Sequence, residues 1–251
     1  MVVTGLLLVA FVVLVAAMVA TRRAPARPLP DVDGYLQRWS AAHDGYDAAS
    51  TRLLRGWLHA VHRVARPLAA AGVHPDVLTL WTVWCALVVV ALADRGGAWA
   101  VAGAAVLVVS GAGDALDGAV AVLTDRASAW GYVLDSVVDR VNDALYLVAA
   151  WVAGAPAWLA VSSGVAFGLL EYLRARAGNA GADPAAVITV GERPQRIICC
   201  ALAIGSAGLA PARAGLWGGV SLTVLLALSV AGLVQLVVAV RRQLRRRDPG
   251  S

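Results

Sequence analysis

The sequence has no lysine and few charged residues, and the small charged fraction excludes one class of protein. All 21 basic residues are arginine, and charged residues make up only 15% of the 251 positions, against 60% hydrophobic residues. A soluble domain carries about 25% charged and about 45–50% apolar residues, so we exclude an ordinary soluble protein and expect the apolar runs to lie in lipid. Basic residues gather on the cytoplasmic side of membrane proteins, which accounts for the net charge of +5 without nucleic-acid binding.

Cysteine is also scarce. The three cysteines, Cys85, Cys199 and Cys200, lie in or beside apolar runs. Their spacing matches neither a disulfide framework nor a zinc site. We interpret them as small apolar side chains.

Long apolar runs predict seven membrane spans. Residues 1–20 form the first, and the basic pair Arg22-Arg23 follows it. A signal peptide carries its basic residues before the apolar run, so we predict a membrane anchor with its N-terminus outside. The other spans are predicted at 77–93, 97–123, 128–153, 155–173, 196–210 and 215–240, each near the length of about 20 residues that a bilayer requires.

The remaining segments complete the predicted organisation. A polar linker at 21–50 leads to a basic amphipathic helix at 51–71, which we expect in the lipid headgroup layer. The transmembrane domain is predicted at 72–240 and a basic cytoplasmic tail at 241–251, because the arginine-rich loops all fall on one side. The predicted fold is an all-α integral membrane protein. It comprises a six-helix transmembrane bundle, an interfacial amphipathic helix and an extra N-terminal transmembrane anchor.

Four aspartates lie at the cytoplasmic ends of two consecutive predicted spans. They are Asp114 and Asp117 in one span and Asp135 and Asp139 in the next. Spacings of three and four residues put each pair on one helix face, and an ionised Asp in lipid costs at least about 2.5 kcal/mol. Four carboxylates close together need cations, and hard oxygen ligands select Mg²⁺, Mn²⁺ or Ca²⁺. Asp125 and Asp143, by contrast, fit ordinary charges at a helix end.

Glycines surround these aspartates. They are Gly111, Gly113, Gly118 and Gly131. Small residues let membrane helices approach closely, and they also leave room for a flat ligand against the backbone. Both interpretations stay open.

The spacing of these residues resembles a known motif. The CDP-alcohol phosphotransferases carry D-x-x-D-G-x-x-A-R, about eight residues, then G-x-x-x-D-x-x-x-D. The chain reads Asp114-Ala-Leu-Asp117-Gly118-Ala-Val-Ala121-Val122, eight residues, then Gly131-Tyr-Val-Leu-Asp135-Ser-Val-Val-Asp139. The one departure is Val122, where the family has Arg. Arg126 is a candidate to supply the missing charge, and weak activity or an altered substrate is the alternative.

The resemblance implies an enzyme of the cell membrane with its active site on the cytoplasmic face. Its donor is CDP-diacylglycerol and its cofactor is Mg²⁺ or Mn²⁺, expected as two ions. Asp114, Asp117, Asp135 and Asp139 are the implied metal ligands, with Asp139 also the candidate general base. The implied nucleotide site comprises Gly113, Gly118, Ala121 and Gly131. Family members are commonly homodimers, so the resemblance implies a homodimer here.

Two later segments resemble members that use phosphorylated acceptors, notably the phosphatidylinositol phosphate synthases. The segments are Tyr172-Leu-Arg174-Ala-Arg176-Ala177 and Glu192-Arg193-Pro-Gln-Arg196. Arg174, Arg176, Arg193 and Arg196 are therefore candidates to bind an acceptor phosphate, since guanidinium groups bind phosphate oxygens in pairs. The positive-inside rule also predicts arginines here. Inositol phosphate is the first candidate acceptor, glycerol 3-phosphate the second and an unphosphorylated alcohol the third.

Three rival hypotheses remain. Gly111-Ala-Gly113-Asp114 matches the G-x-G-D signature of intramembrane aspartyl proteases, but the one Tyr-Asp pair, Tyr46-Asp47, lies in the polar linker. A carrier that binds cations without releasing CMP is the second. A family member that has lost activity because of Val122 is the third.

Overall fold

The computed structural model describes residues 2–25, 27–42, 47, 50–183 and 187–247. Tyr46, considered above for a protease site, lies outside these residues. Every regular element in the described ranges is helical, and none of the described residues forms a β-strand. This confirms the predicted all-α class.

The described residues form ten α-helices and one 3₁₀ turn, Pro211–Arg213. The α-helices are α1 (Val2–Ala20), α2 (Val32–Ala42), α3 (Arg52–Ala70), α4 (Pro75–Arg95), α5 (Gly97–Gly113), α6 (Ala115–Leu123), α7 (Ala129–Val152), α8 (Ala157–Asn179), α9 (Arg193–Leu209) and α10 (Ala214–Arg247). They divide into two compact units. Unit 1 comprises Met1–Cys85 and Ser110–Val141, and unit 2 comprises Ala86–Val109 and Asn142–Ser251.

Three helical stretches of the described chain are long and apolar enough to cross a membrane: Pro75–Arg95, Gly97–Leu123 and Pro211–Arg246. The shorter apolar stretch Gly5–Ala20 lies in the predicted anchor. The described chain therefore has the helices of a membrane protein. The six-helix transmembrane bundle and the extra anchor stay predictions, because the other helices do not meet the same length and apolarity.

Helix α1 packs against α4 within unit 1 through aromatic rings. The ring of Phe11 lies 5.6 Å from that of Trp81 and 5.3 Å from that of Trp84. The indole Nε1–H of Trp84 donates to the backbone carbonyl of Leu7 at 3.0 Å. Aromatic pairs at such distances add stabilisation beyond their buried area, so these contacts attach α1 to the rest of the unit.

Helix α2 lies inside the segment predicted as a polar linker. The side chain of Asp31 accepts a hydrogen bond from the backbone N–H of Gly34 at 2.9 Å, as a residue before a helix start commonly does. Tyr35 is buried, and Leu36 and Trp39 are half-buried in the same apolar cluster as α3 and α6 residues. Eleven residues of this polar segment are therefore helical, because tertiary packing stabilises a helix whose sequence is largely polar.

Helix α3 has the amphipathic character predicted for residues 51–71. Thr51 caps its start, with the hydroxyl accepting from the N–H of Leu54 at 3.1 Å. One face is buried and consists of Leu58, Val61, His62, Ala65 and Ala69. The arginines of α3 are exposed. Its expected position in the lipid headgroup layer stays a prediction.

Unit 2 contains a very close approach between helices α5 and α9. A Cβ atom added at Gly208 would lie 2.3 Å from the carbonyl oxygen of Gly97 and 2.5 Å from Cγ2 of Val101. Separations under 3.0 Å require the backbone to move. Gly208 therefore allows the two helices to touch, as small residues do in membrane proteins.

We predict that Gly208→Ala lowers the stability of the detergent-purified protein by about 1–3 kcal/mol, the usual cost of overpacking. Gly168→Ala in α8 is the matched control, because a Cβ there meets nothing within 4 Å. Thermal unfolding of both variants checks the prediction. Equal melting temperatures for Gly208→Ala and the unmodified protein would contradict it.

Candidate active site

The candidate site lies in unit 1, where α5 gives way to α6 and α7 begins. Asp114 separates α5 from α6, although its N–H still donates to the carbonyl of Ser110 at 3.0 Å. Glycines flank this break, and glycine weakens a helix. After α6, Asp125 adopts a left-handed backbone with φ 55°, which Asp tolerates better than most residues. The chain then enters α7 with Ser128 Oγ accepting from the N–H of Gly131 at 3.0 Å.

Three of the four predicted aspartates lie together. Asp114, Asp135 and Asp139 each offer one carboxylate oxygen, and these oxygens all lie within 4.8 Å of one another. All three residues are half-buried. The guanidinium Nη2 of Arg140 lies 3.8 Å from the Oδ2 of Asp139 and offsets part of the negative charge.

This arrangement fits a divalent metal ion. At an effective dielectric constant of about 20, two like charges about 4.8 Å apart repel by roughly 3 kcal/mol. Three such pairs make the cluster costly unless a cation or a proton neutralises it. Carboxylate oxygens are the ligands that Mg²⁺ and Mn²⁺ prefer. Asp114, Asp135 and Asp139 therefore form a suitable binding site for either ion.

Asp117 lies outside this group of three. It is 8% exposed, and its Oδ2 accepts a hydrogen bond from the hydroxyl of Thr79 on α4 at 2.5 Å. Its Oδ1 accepts from the N–H of Gly118 at 2.6 Å. These bonds orient the carboxylate, and its role as a metal ligand stays a prediction.

A cavity of about 520 Å³ adjoins the carboxylates. This volume is within the range of small-molecule binding sites. Of the four residues predicted to bind a nucleotide, Gly118, Ala121 and Gly131 line it. Gly113 is not among the lining residues. Three of the four aspartates also line it, and they are Asp114, Asp117 and Asp135.

Gly118 distinguishes the two interpretations of the glycines. A Cβ added at this exposed position meets nothing within 4 Å, so close helix packing does not require glycine here. At Gly131, the same atom would lie 3.3 Å from Ser128 Oγ. The absent side chain at 118 therefore keeps cavity space open beside the backbone, where a ligand can lie.

Val122 and Arg126 both line the cavity. Val122 packs in the apolar cluster of unit 1. The backbone N–H of Arg126 donates to the carbonyl of Ala121 at 2.9 Å, which closes the turn after α6. Arg126 thus brings a guanidinium to the cavity whose wall lacks the motif arginine.

The four candidate phosphate-binding arginines lie in unit 2, and Arg174 and Arg196 among them pair with carboxylates. Arg174 makes two hydrogen bonds to Glu192, at 2.9 and 3.2 Å. Burial raises the pKa of the Glu192 carboxyl, but hydrogen bonds from Arg174 and Thr189 outweigh it and leave that pKa below its ordinary value. Arg174 therefore holds the loop before α9 against α8.

Arg196 is the more deeply buried of this pair, at 2% exposure. Its guanidinium bonds to Asp143 at 2.9 Å, to Glu171 and to the carbonyl of Gly191 at 3.2 Å. It also lies 4.9 Å from the ring centre of Phe167. Removing the Arg196 side chain would leave the buried Asp143 carboxylate without this charged partner, which is strongly destabilising.

Arg176 and Arg193 are the other two candidates. Arg176 is exposed near the end of α8, and Arg193 is half-buried at the start of α9. Exposed arginines meet a phosphate with little rearrangement. Arg176 is therefore the most accessible of the four candidates.

Sequence reasoning missed several residues that shape these sites. Thr79 orients Asp117, and Tyr35 and Trp39 of α2 line the cavity. In unit 2, Asp143 and Glu171 neutralise Arg196. Asp143 was interpreted as an ordinary charge at a helix end, but it is 2% exposed and paired.

Comparison with known proteins extends the resemblance noted in the sequence. The family model of CDP-alcohol phosphatidyltransferase matches residues 72–234. The phosphatidylinositol phosphate synthase of Cutibacterium acnes is 34% identical over 201 residues, covering 74% of this chain and 95% of that one. The archaetidylinositol phosphate synthase of Methanothermobacter thermautotrophicus is 35% identical over 145 residues, covering 55% and 70%.

Two solved structures of the Mycobacterium tuberculosis phosphatidylinositol phosphate synthase are similar to this chain. One holds manganese and citrate, with a TM-score of 0.61 and 25% identity, covering 72% of this chain and 88% of that one. The other holds CDP-DAG, with the same TM-score and identity, covering 72% and 92%.

We predict that the purified protein binds Mn²⁺ and that Asp135→Asn weakens this binding at least about tenfold, because one of three charged oxygen ligands is lost. Asp94→Asn, at an exposed position of α4 outside the cluster, is the matched control and should bind as the unmodified protein does. Electron paramagnetic resonance of free Mn²⁺ gives both affinities. Equal affinities in the two variants would contradict the metal site.

Proposed function

The chain belongs to the CDP-alcohol phosphatidyltransferase family, and from this we propose that it transfers a phosphatidyl group from CDP-diacylglycerol to an inositol phosphate, releasing CMP. One observation carries the proposal. Asp114, Asp135 and Asp139 of the motif are gathered beside a cavity that glycine leaves open at residue 118. That combination suits a metal-dependent site for a nucleotide diphosphate.

A divalent cation bound by Asp114, Asp135 and Asp139 supplies positive charge that neutralises the donor diphosphate. Asp117 is proposed as a further ligand, oriented by the Thr79 hydroxyl. The space proposed for the cytidine nucleotide is lined by Gly118, Ala121 and Gly131. Gly113 is proposed to let the end of α5 lie close to the nucleotide.

Asp139 is the proposed general base. It accepts the proton of the acceptor hydroxyl, whose oxygen then forms a bond to the lipid-side phosphorus. The bond from that phosphorus to the bridging oxygen breaks, and CMP leaves with that oxygen.

Arginines of unit 2 are proposed to bind the acceptor phosphate. Arg176 is exposed, and Arg193 is half-buried. Arg174 and Arg196 bond to Glu192, Asp143 and Glu171. We propose that these two keep the loop before α9 in place. Relatives that are named phosphatidylinositol phosphate synthases support a phosphorylated inositol as the acceptor.

The proposed topology follows the distribution of arginines. The active site and the basic tail from 241 lie on the cytoplasmic face, and the N-terminus lies outside. The protein is proposed to act as a homodimer in the cell membrane, as its family resemblance implies.

We predict that CMP release from CDP-diacylglycerol requires Mg²⁺ or Mn²⁺ and inositol phosphate. Asp139→Asn should lower the rate by about 10²–10⁴-fold, the usual contribution of a general base. The variant should still bind the metal at saturating concentration through Asp114 and Asp135. Asp94→Asn should retain the full rate.

The acceptors to compare are inositol phosphate, glycerol 3-phosphate, inositol and none. Turnover with glycerol 3-phosphate and with none of the other acceptors would show that glycerol 3-phosphate, and not inositol phosphate, is the acceptor. Full activity of Asp139→Asn would refute its assignment as the base. Metal binding without CMP release from CDP-diacylglycerol, whichever acceptor is added, would favour a carrier or an inactive family member.

We predict that Gly118→Ala raises the KM for CDP-diacylglycerol at least about fivefold, because a methyl group added to a closely fitted space costs roughly 1–3 kcal/mol. Its melting temperature should not fall, since the added Cβ meets no neighbour. Gly168→Ala, which is equally unhindered, should change neither quantity. An unchanged KM in Gly118→Ala would show that the donor lies elsewhere.

A further inference from the structure

The N-terminal segment, residues 23–25 and 27–39, precedes the range that the family model matches, which begins at 72. Its residues Tyr35 and Trp39 nevertheless line the cavity. We propose that this N-terminal segment completes the donor site. It positions Arg126 as the cation that binds the nucleotide diphosphate in place of the missing motif arginine, and it supplies Trp39 as an aromatic surface for the base. The inference rests on the proposed function.

Arg126 has one satisfied and one unsatisfied guanidinium nitrogen. Its Nη2 donates to the backbone carbonyl of Arg23 at 2.9 Å. Its Nη1 is buried and has no hydrogen-bond partner among the residues that the structure describes. An unsatisfied buried donor is costly, more so when charged. A phosphate oxygen in the adjoining cavity would satisfy it with a short, charge-assisted bond.

The Arg23 carbonyl is itself held in position by the turn after α3. The N–H of Arg23 donates to the carbonyl of Gly72 at 3.0 Å. Gly72 has a left-handed backbone with φ +73°, and a Cβ added to it would lie 2.6 Å from the Arg23 oxygen. Only glycine allows this approach. A backbone contact therefore links Gly72 to Arg23, and the Arg23 carbonyl in turn holds the guanidinium of Arg126.

A second contact ties the segment to the same loop. Arg38 of α2 pairs with Asp125 at 2.9 Å, and Asp125 directly precedes Arg126. This pair is exposed and contributes little energy by itself. It shows that both ends of the segment contact the turn that carries Arg126.

The residue at 122 fits this arrangement. Val122 packs in one apolar cluster with Leu29, Leu36 and Trp39 of the segment. Val122 is half-buried and also lines the cavity, so the wall is apolar at the position of the motif arginine. The apolar segment and Val122 are thus compatible, and the cation enters the cavity four residues later.

Tyr35 and Trp39 have different roles in the wall. Tyr35 is 1% exposed, and its ring lies 5.3 Å from that of His62 on α3. Burial raises the pKa of Tyr35 to about 12, so the phenol stays neutral and fixes α2 on α3. Trp39 is half-buried, and an indole face binds a nucleobase by stacking.

The first test measures CDP binding with Mn²⁺ by calorimetry and the KM for CDP-diacylglycerol. Arg126→Gln should weaken CDP binding and raise the KM by about tenfold or more, the usual loss of a charge-assisted bond. Arg126→Lys should recover part of both. Trp39→Ala should weaken CDP binding by a factor of about ten and Trp39→Phe by less. The turnover number should fall much less than the affinity in each variant.

The second test addresses positioning. Gly72→Ala should displace Arg23 and raise the KM several-fold. Gly96→Ala is the matched control, because Gly96 has a similar φ of +66° but no atom within 4 Å of the added Cβ. Its KM should not change. Combining Gly72→Ala with Arg126→Gln should add little to Arg126→Gln alone, since both act through one guanidinium.

The outcomes separate this inference from the proposed function. If the unmodified enzyme turns over and all variants keep its KM and CDP affinity, the inference is wrong and the function stands. If it releases no CMP but binds CDP, and Arg126→Gln loses that binding, the function is wrong and the inference stands. No CDP binding by the unmodified protein, or additive effects of Gly72→Ala and Arg126→Gln, would overturn the inference.

Discussion

The arrangement of unit 1 depends on three carboxylates whose oxygens lie within 4.8 Å of one another. Their repulsion is the main electrostatic cost of the site, and it makes a bound cation the natural occupant. Asp114 lies where α5 meets α6, and Asp135 and Asp139 lie in α7, which follows the turn through Asp125. Arg126, Ala127 and Ser128 of that turn line the cavity beside the carboxylates.

Much of this site was predictable from the sequence, because aspartates in apolar helices are rare and their spacing is periodic. Three of the seven predicted membrane spans and the three clustered aspartates follow from that reasoning. The separate position of Asp117 does not, since it depends on a hydroxyl from α4, at Thr79, which no spacing rule connects to α6. Helix α2 was missed for a related reason. Its polar composition resembles a linker, and only packing of Tyr35 on α3 shows that it is a helix with a buried side.

The arginines of unit 2 show a second limit of sequence reasoning. Arg174, Arg176, Arg193 and Arg196 look equivalent in the sequence, as basic residues near helix ends. In the fold, Arg196 is buried between Asp143 and Glu171, whereas Arg176 is exposed. The difference arises because carboxylates from two other helices reach one guanidinium. Removing such a residue tests stability before it tests ligand binding, so the four cannot be treated as one functional set.

The glycines lead to a similar distinction. Glycine in a membrane helix serves either close packing or ligand access, and the sequence supports both for every position. The space around each Cβ decides between them. At Gly208 the added atom would collide with the backbone at Gly97, so that glycine serves packing. At Gly118 it would enter open space in the cavity wall. Glycine within a helix costs about 0.5–1 kcal/mol of stability relative to alanine, and packing does not require it at 118. The space that Gly118 leaves in the cavity wall is therefore its structural effect, and it is room for a ligand.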